Sequence, residues 1–274
     1  MTSHTFFQID AFAERAMGGG PAGVMPLDAF LADDVMQAIA AENNIAETAF
    51  LVPKAKGVWD LRWFTPALEV PLCGHATLAS AHALYAHLGF DGPEVGFDTK
   101  SGRLTVKRLP DGRLEMDFPA HPPRRIETPA GLFEALGAKP VEVLAATYLL
   151  AAFETPEQVI ALKPDLVRVN QISGSATQGR GNIVCAAPAG KGEFAKYDVV
   201  SRFFAPGSGI PEDPATGSAH CIIAPYFSQT LGKAELNCFQ AYPGRGANIT
   251  TRMAGDRVKL IGRARTVIEG VFRL

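Results

Sequence analysis

The stretches RWFTPALEVPLCGHAT (62–77) and RFFAPGSGIPEDPATG (202–217) share one pattern and decide the fold. In each, an Arg-x-Phe segment typical of a strand leads through prolines to a glycine and then to an apolar run. The residues that match at a spacing of 140 are Arg62, Phe64, Pro66 and Pro71 with Arg202, Phe204, Pro206 and Pro211. Self-similarity of this kind indicates a duplicated unit, and it predicts two similar halves, each with a strand, a turn and a buried helix.

The spacing of the repeat determines which residues stand opposite each other in the two turns. At a spacing of 140, Cys73 faces Asp213, and a spacing of 138 further along aligns 80–82 (SAH) with 218–220 (SAH). We expect the two strand-to-helix turns to meet across a pseudo-two-fold cleft.

Short apolar and alternating segments outnumber helical ones, which predicts an α+β fold. Helices are predicted over 33–41, 75–88, 128–136, 155–162 and 216–231, and the predicted strands include 47–53, 58–64, 143–153, 166–170, 182–187 and 199–204. The helix at 75–88 has little polar face, which indicates burial on most sides with a sheet around it. A Pro-rich stretch over 119–129 marks the expected boundary between the halves.

Composition excludes several classes of function. The net charge of −2 gives no basic footprint for nucleic acid, and no apolar run is long enough to span a bilayer. The first residues lack the basic and apolar regions of a signal peptide, so we expect a cytoplasmic protein. The four cysteines do not form a zinc-binding pattern, and the glycine-rich segments match no nucleotide-binding motif, so no metal and no cofactor is predicted.

The segments 73–75 (CGH) and 216–218 (TGS) place small residues where the predicted buried helices begin. Backbone N–H groups at a helix start are unpaired and lie at the positive end of the dipole, and Gly74 and Gly217 let a ligand come close. Two such starts are expected to hold a carboxylate or a charge that develops during proton abstraction. Ordinary capping is the alternative for either turn.

Glu47 lies in the strand-like run NNIAETAFLV (43–52). A carboxylate there is expected to be partly buried, and burial raises the pKa of a carboxyl group toward the range that suits proton transfer near neutral pH. The alternative is a glutamate on an edge strand that faces water.

Three further polar residues lie in the two turns. His75 is expected to donate a hydrogen bond to substrate or to share in proton transfer, with a capping or core histidine as the alternative. Asp213 is expected to accept a proton or to fix a substrate amine or hydroxyl, with capping of the following helix as the alternative. Ser218 either binds a substrate carboxylate or is an ordinary hydroxyl of the first helical turn.

Several segments resemble the PhzF-like proteins of phenazine biosynthesis. They are ETAF (47–50), RWFTPALEVPLCGHATLASAHAL (62–84), RFFAPGSGIPEDPATGSAH (202–220) and QAYPGRG (240–246). The resemblance extends more distantly to diaminopimelate epimerase and proline racemase. It implies a diaminopimelate-epimerase-like fold of two pseudo-symmetric halves, each a mixed sheet or barrel around a central helix, with the active site between them. The first half is then 1–118 with 263–274, and the second is 119–262.

The resemblance also assigns roles. Glu47 matches the glutamate that shuttles a proton during isomerisation of a dihydro-hydroxyanthranilate, and His75, Asp213 and Ser218 match other site residues of the family. A homodimer without metal or organic cofactor is implied. Two departures stand out: Gly19-Gly20-Pro21 replaces a Gly-Asn-Pro whose asparagine lines the site, and only Cys73 matches one of the two catalytic cysteines of the epimerases, with Asp213 in the other place.

The sequence therefore predicts a cofactor-independent isomerase that moves a proton on a small carboxylate-bearing metabolite, phenazine-precursor-like or amino-acid-like, with Glu47 as general acid and base. Two alternatives remain open. One is an epimerase or racemase that uses Cys73 with Asp213 or Glu47. The other is a non-catalytic protein of the same fold that binds a metabolite or another protein.

Overall fold

A mixed β-sheet with a helix packed on it occurs twice along the chain, and the computed structural model describes residues 2–274. One unit runs to Asp117 and includes Ile261–Leu274, and the other is Phe118–Leu260. Among the described residues, no helix has both the length and the apolar character needed to cross a membrane.

The first unit contains two helices and eight strands from the first part of the chain, although the end of the eighth strand passes into the second unit. They are β1 (Ser3–Ala11), β2 (Gly20–Pro26), α1 (Asp33–Asn43), β3 (Glu47–Ala55), β4 (Val58–Phe64), β5 (Glu69–Val70), α2 (Gly74–Ala86), β6 (Glu94–Thr99), β7 (Gly102–Arg108) and β8 (Leu114–Pro119). The last strand of the chain, Ala264–Arg273, returns to this unit and pairs antiparallel with β1.

The second unit has the remaining helices and strands. They are β9 (Arg124–Arg125), α3 (Leu132–Leu136), β10 (Glu142–Ala145), β11 (Leu149–Ala152), α4 (Pro156–Ile160), α5 (Leu166–Thr177), β12 (Ile183–Pro188), β13 (Val199–Phe204), α6 (Gly217–Leu231), β14 (Glu235–Gln240), β15 (Ala247–Ala254) and β16 (Arg257–Gly262), with short 3₁₀ turns at Gly192–Phe194 and Pro206–Ser208. The strand Ala264–Arg273 is therefore β17.

The two units have the same sheet order. In the first, β1 is antiparallel to β2, β2 parallel to β3, β3 antiparallel to β4, β4 parallel to β6, and β6 antiparallel to β7. In the second, the strands β10, β11, β12, β13, β14 and β15 repeat this alternation. The predicted α+β fold of two pseudo-symmetric halves is confirmed.

Each sheet carries one buried central helix. Residues of α2 are buried nearly all round, and the helix packs against β1, β2, β3 and β17. Its hydroxyl groups are satisfied within the helix, since Thr77 donates to the Cys73 carbonyl and Ser80 donates to the Ala76 carbonyl. Apolar residues of α6 pack in the same way into a core formed with β11, β12, β13 and β14. The prediction of a buried helix at 75–88 is therefore confirmed.

The helix starts correct the spacing of the repeat. Helix α2 begins at Gly74 and α6 at Gly217, so three extra residues precede α6 and the spacing becomes 143. Thr216, not Asp213, is therefore the counterpart of Cys73, and Ser218 is the counterpart of His75. The 138 spacing is wrong as well, because it would place the second turn of α2 on the first turn of α6.

Four details of the predicted elements are wrong. Residues 166–170 begin helix α5, where Asp165 accepts a capping hydrogen bond from the Arg168 N–H at 3.1 Å. The predicted strand 143–153 is two strands, β10 and β11. Helix α3 begins only after Gly131, whose φ of +78° is not helical. Strand β15 was not predicted at all.

One ion pair recurs in both units and fixes the approach to each central helix. Arg62 on β4 forms a bidentate pair with Glu69 (2.8 and 2.9 Å), and its guanidinium lies over the Phe64 ring. Arg202 on β13 does the same with Glu212 (2.7 and 2.8 Å) and Phe204. These pairs connect a sheet strand to the segment that leads into α2 or α6.

Breaking the second of these pairs should cost stability. The side chains of Arg202 and Glu212 are only 9% and 10% exposed, so Glu212→Gln leaves a buried guanidinium without its counter-charge. We expect the free energy of unfolding to fall by about 3 kcal/mol in urea titrations followed by circular dichroism. The control is Glu94→Gln, since Glu94 pairs with Lys107 at the surface and should cost less than about 1 kcal/mol. Equal losses in the two variants would contradict the assigned role of the buried pair.

Candidate active site

Glu47, Cys73 and His75 come together in the first unit. Glu47 is the first residue of β3, Cys73 precedes α2 as its N-cap, and His75 is the second residue of that helix. The Nε2 atom of His75 lies 2.9 Å from Oε2 of Glu47, and its Nδ1 atom lies 3.6 Å from the Cys73 sulfur. Packing of α2 against β3 therefore places a carboxylate, an imidazole and a thiol in mutual contact.

The three side chains are shielded from solvent to different extents. Cys73 and His75 are buried, whereas the Glu47 side chain is 18% exposed. The contact of Glu47 with His75 is an ion pair by distance, and the buried Oε2 atom makes no hydrogen bond of good geometry with the described residues. Glu47 is thus the one member of the three whose side chain is partly open to solvent.

The pKa of Glu47 differs from the sequence-based prediction. Burial does raise it, as expected, but the positive charge of His75 and the polar contacts of His75 and Cys73 with the carboxylate outweigh burial and lower the pKa of Glu47 below its ordinary value. The expected raised pKa is therefore wrong, because the sequence did not reveal the imidazole 2.9 Å away. At neutral pH Glu47 is a carboxylate.

His75 is the protonated partner of this pair. Burial lowers the pKa of His75, but Cys73 and Glu47 raise it by more, so the pKa stands well above its ordinary value. Of the two neighbours of His75, only Glu47 is charged at neutral pH. The Cys73 thiol stays neutral because burial and the charge of Glu47 raise its pKa to about 11. The resting site therefore contains a carboxylate, an imidazolium and a neutral thiol.

The position of Cys73 at the start of α2 does not make it a thiolate. A lowered pKa is usual for a cysteine at a helix N-terminus, and a thiolate is the form that acts as base or nucleophile. Here burial and a neighbouring carboxylate act in the opposite direction. The Cys73 thiol is therefore not activated in this way.

Asp213 organises the turn before α6 in the second unit. Its carboxylate accepts hydrogen bonds from the Thr216 hydroxyl (2.6 Å) and the Ala215 N–H (3.3 Å). Gln240, at the end of β14, donates to the Asp213 carbonyl (2.6 Å) and accepts from the Thr216 N–H (2.8 Å). The turn that presents the start of α6 is thus held at both its carboxylate and its backbone.

Gly217 and Ser218 are the first two residues of α6. Gly217 is buried, whereas Ser218 is exposed and its Oγ lies 3.3 Å from the Tyr148 hydroxyl. Neither Thr216 here nor Cys73 at the start of α2 makes a side-chain capping hydrogen bond. Both helix starts therefore retain N–H groups that no N-cap side chain satisfies.

Gln240 and Tyr148 were missed from the sequence. Gln240 lies in the QAYPGRG segment, which the resemblance includes, but its amide becomes meaningful only when β14 is paired beside β13. Tyr148 lies in the tight turn between β10 and β11, which the sequence pattern treated as continuous strand. No local signal in either segment points to the start of α6.

Gly20 begins the strand that pairs with β3. It is the residue that replaces the asparagine expected from the resemblance, and it opens β2, which runs parallel to β3 with Ala22 opposite Glu47. Gly19 has a φ of +55°, and a Cβ atom there would lie 2.0 Å from the Ala11 carbonyl oxygen, so only glycine fits. The backbone at the start of β2 therefore borders the site without a polar side chain at position 20.

The phenazine biosynthesis-like protein family (PhzC-PhzF) matches residues 9–270. The chain belongs to this family. A Pseudomonas aeruginosa protein named as an uncharacterized isomerase is 45% identical over 270 residues, which cover 98% of each chain. The crystal structure of a PhzF family protein from Enterococcus faecalis superposes with a TM-score of 0.92 at 35% identity and covers both chains fully.

A more distant likeness extends the fold beyond the PhzC-PhzF family. A hydroxyproline epimerase from Agrobacterium vitis superposes with a TM-score of 0.58 at 14% identity, covering 98% of this chain and 92% of that one. At this identity the likeness concerns the fold alone. The predicted epimerase-like fold is confirmed.

The charge of His75 can be compared with the charges of two other histidines on the central helices. We expect the His75 ring to be an imidazolium at neutral pH, whereas burial lowers the pKa of His82 and of His220 to about 4 and keeps both rings neutral. Ring ¹⁵N chemical shifts across a pH titration measure each ring separately. In Glu47→Gln the pKa of His75 should fall, because burial then acts without its counter-charge. A His75 ring that is neutral at pH 7 would contradict the assigned ion pair.

Proposed function

We propose that this protein is a cofactor-independent isomerase that moves a proton on a small carboxylate-bearing metabolite, with Glu47 as general base and acid. The observation that carries the proposal is the buried ion pair between Glu47 and His75 at the start of α2. Membership of the PhzC-PhzF family and the isomerase name of the Pseudomonas aeruginosa relative support the reaction class.

Glu47 takes the proton first. Its carboxylate accepts a proton from a substrate carbon that is acidified by a neighbouring unsaturated or carboxylate group. The C–H bond breaks, its electron pair shifts into the conjugated system, and the first N–H groups of α2 stabilise the charge that develops. Glu47 then returns the proton to another carbon, so substrate and product have the same composition.

The contact with His75 assists Glu47 both when it takes up the proton and when it returns the proton. While Glu47 is ionised, the imidazolium stabilises the carboxylate and keeps it available as a base. When Glu47 gains the substrate proton, the attraction that raises the pKa of His75 is lost, so the two groups titrate as a coupled pair. His75 thus helps Glu47 to alternate between base and acid.

Substrate binding is assigned to the start of α6. The backbone N–H of Gly217, which the Thr216 side chain does not cap, and the Ser218 hydroxyl are groups suited to a substrate carboxylate. Asp213 acts here as a positioning residue, because its carboxylate holds Thr216 and the turn. Cys73 and Gly74 are assigned to substrate contact at the start of α2. A homodimer and a cytoplasmic location stay predictions.

The thiol-based alternative has less support. An epimerase that uses Cys73 needs a thiolate, whereas the pKa of this thiol is about 11. The 143-residue spacing also places Thr216, which is no acid or base at neutral pH, opposite Cys73. No observation favours this reading over proton transfer by Glu47.

A solvent-exchange assay tests the proposal. The protein is incubated in D₂O with a panel of cyclic and acyclic amino acids and unsaturated carboxylates, and deuterium uptake at carbon is followed by NMR. We expect at least one compound to exchange, and Glu47→Gln to lower that rate by about 10²–10⁴-fold because the proton acceptor is lost. The matched control is Glu42→Gln, an exposed glutamate of α1, which should exchange like the wild type.

Two outcomes would separate the alternatives. Cys73→Ser should retain exchange within about tenfold of wild type, since its hydroxyl preserves a polar contact but not a thiolate; loss as large as that of Glu47→Gln would favour the epimerase. Exchange that is absent from every compound, with ligand binding retained, would favour the non-catalytic metabolite-binding protein.

A further inference from the structure

The contact between Glu47, Cys73 and His75 has a second chemical meaning. One carboxylate oxygen, the sulfur and a ring nitrogen all lie within 4.8 Å of one another. The three residue types are those that bind zinc in proteins, and three protein ligands with one open position is the arrangement of an exchangeable zinc site. The sequence offered no such indication, because the carboxylate comes from β3, 26 residues before Cys73.

We propose that Glu47, Cys73 and His75 form a binding site for a thiophilic divalent cation of the Zn²⁺ class, whose occupancy blocks the Glu47 carboxylate. The inhibitory part rests on the proposed function, whereas binding of the cation does not.

The distances are close to those of a tetrahedral site. Ligand atoms bound to zinc at about 2.0–2.3 Å are separated from each other by about 3.3–3.8 Å. The sulfur of Cys73 lies 3.6 Å from Nδ1 and 4.0 Å from Nε2 of His75, and Nε2 lies 2.9 Å from Oε2 of Glu47. A bound cation requires Oε2 to move away from Nε2 by less than about 1 Å, and the Glu47 side chain is the partly exposed one of the three.

The donor set selects the class of cation. A thiolate and an imidazole favour zinc and its neighbours in the first transition series, whereas magnesium and calcium prefer oxygen ligands alone. A thiolate and a carboxylate together neutralise a divalent charge, which matters in a site where Cys73 and His75 are buried. On binding, the cation replaces the thiol proton and the imidazolium Nε2 or Nδ1 proton, three metal–ligand bonds form, and nothing is oxidised or reduced.

Occupancy has a direct consequence for the proposed reaction. A cation that coordinates Glu47 Oε2 takes the lone pair that would accept the substrate proton, and it displaces the imidazolium charge that keeps the carboxylate ionised. The open fourth position would still bind a carboxylate. The cation is therefore expected to inhibit proton transfer while leaving room for a ligand.

Cobalt provides a spectroscopic test that needs no substrate. The full-length protein, stripped of metal with EDTA and kept reduced, is titrated with Co²⁺. We expect binding of about one Co²⁺ per chain, with a thiolate-to-cobalt charge-transfer band in the near ultraviolet that Zn²⁺ abolishes. Cys73→Ser should lose the band and weaken binding by more than about 100-fold. The control is Cys238→Ala, a buried cysteine of β14, which should keep both.

The outcomes are decisive in either direction. A wild-type protein without the band at stoichiometric Co²⁺, or a Cys73→Ser protein that keeps it, overturns the proposal. Glu47→Gln provides a second variant should Cys73→Ser fail to fold: it should keep the thiolate band but bind Co²⁺ about tenfold or more weakly, and unchanged affinity would remove the carboxylate from the site. Since no step depends on exchange activity, failure of the proposed isomerase leaves this test intact.

Discussion

The ion pair between Glu47 and His75 depends on the burial of α2. Because this helix is buried nearly all round against β1, β2, β3 and β17, its first turn cannot turn toward water, and His75 faces the start of β3. A buried imidazole and a carboxylate at 2.9 Å stabilise each other's charged forms. Helix packing thus gives Glu47 an ionised carboxylate beside the His75 ring. The recurring arginine–glutamate pairs fix where each central helix begins.

The two units present different side chains on one scaffold. At equivalent places the first unit has Cys73 and His75 and the second has Thr216 and Ser218. The fourth residue of each helix contacts the carbonyl of its own N-cap residue. Thr77 donates a hydrogen bond to the Cys73 carbonyl, and His220 Nδ1 lies 2.8 Å from the Thr216 carbonyl oxygen. At the helix starts themselves, the first unit thus has a thiol and an imidazole, whereas the second has two hydroxyl groups. This asymmetry favours one proton-transferring group over a symmetrical pair of thiols.

Sequence patterns predicted the fold well where several residues acted together. The repeated Arg-x-Phe segments and the apolar helix at 75–88 were sufficient for the class, the duplication and a buried central helix. Local alternation misled at 166–170, where Leu, Val, Arg, Val and Asn look like a strand although Asp165 caps a helix. The spacing of the repeat was wrong because three inserted residues before α6 leave no trace in a short alignment.

Sequence reasoning named candidate site residues, but it did not predict which of them are in contact or what charges they carry. Glu47 and His75 were identified, yet the direction of the Glu47 pKa depends on which charge lies beside it, and that contact joins residues 28 apart through tertiary packing. Gln240 was missed for the same reason, since its amide reaches the turn at Asp213 only through strand pairing. Burial can be inferred from a pattern of apolar residues, whereas a specific partner for a charge cannot.

Infrared difference spectroscopy of the wild-type protein against Glu47→Gln, in D₂O at neutral pH, measures the charge of the Glu47 side chain. We expect the wild type to show the paired stretching bands of an ionised carboxylate that the variant lacks. A band of a protonated carboxyl group in the wild type, in place of those bands, would contradict this expectation.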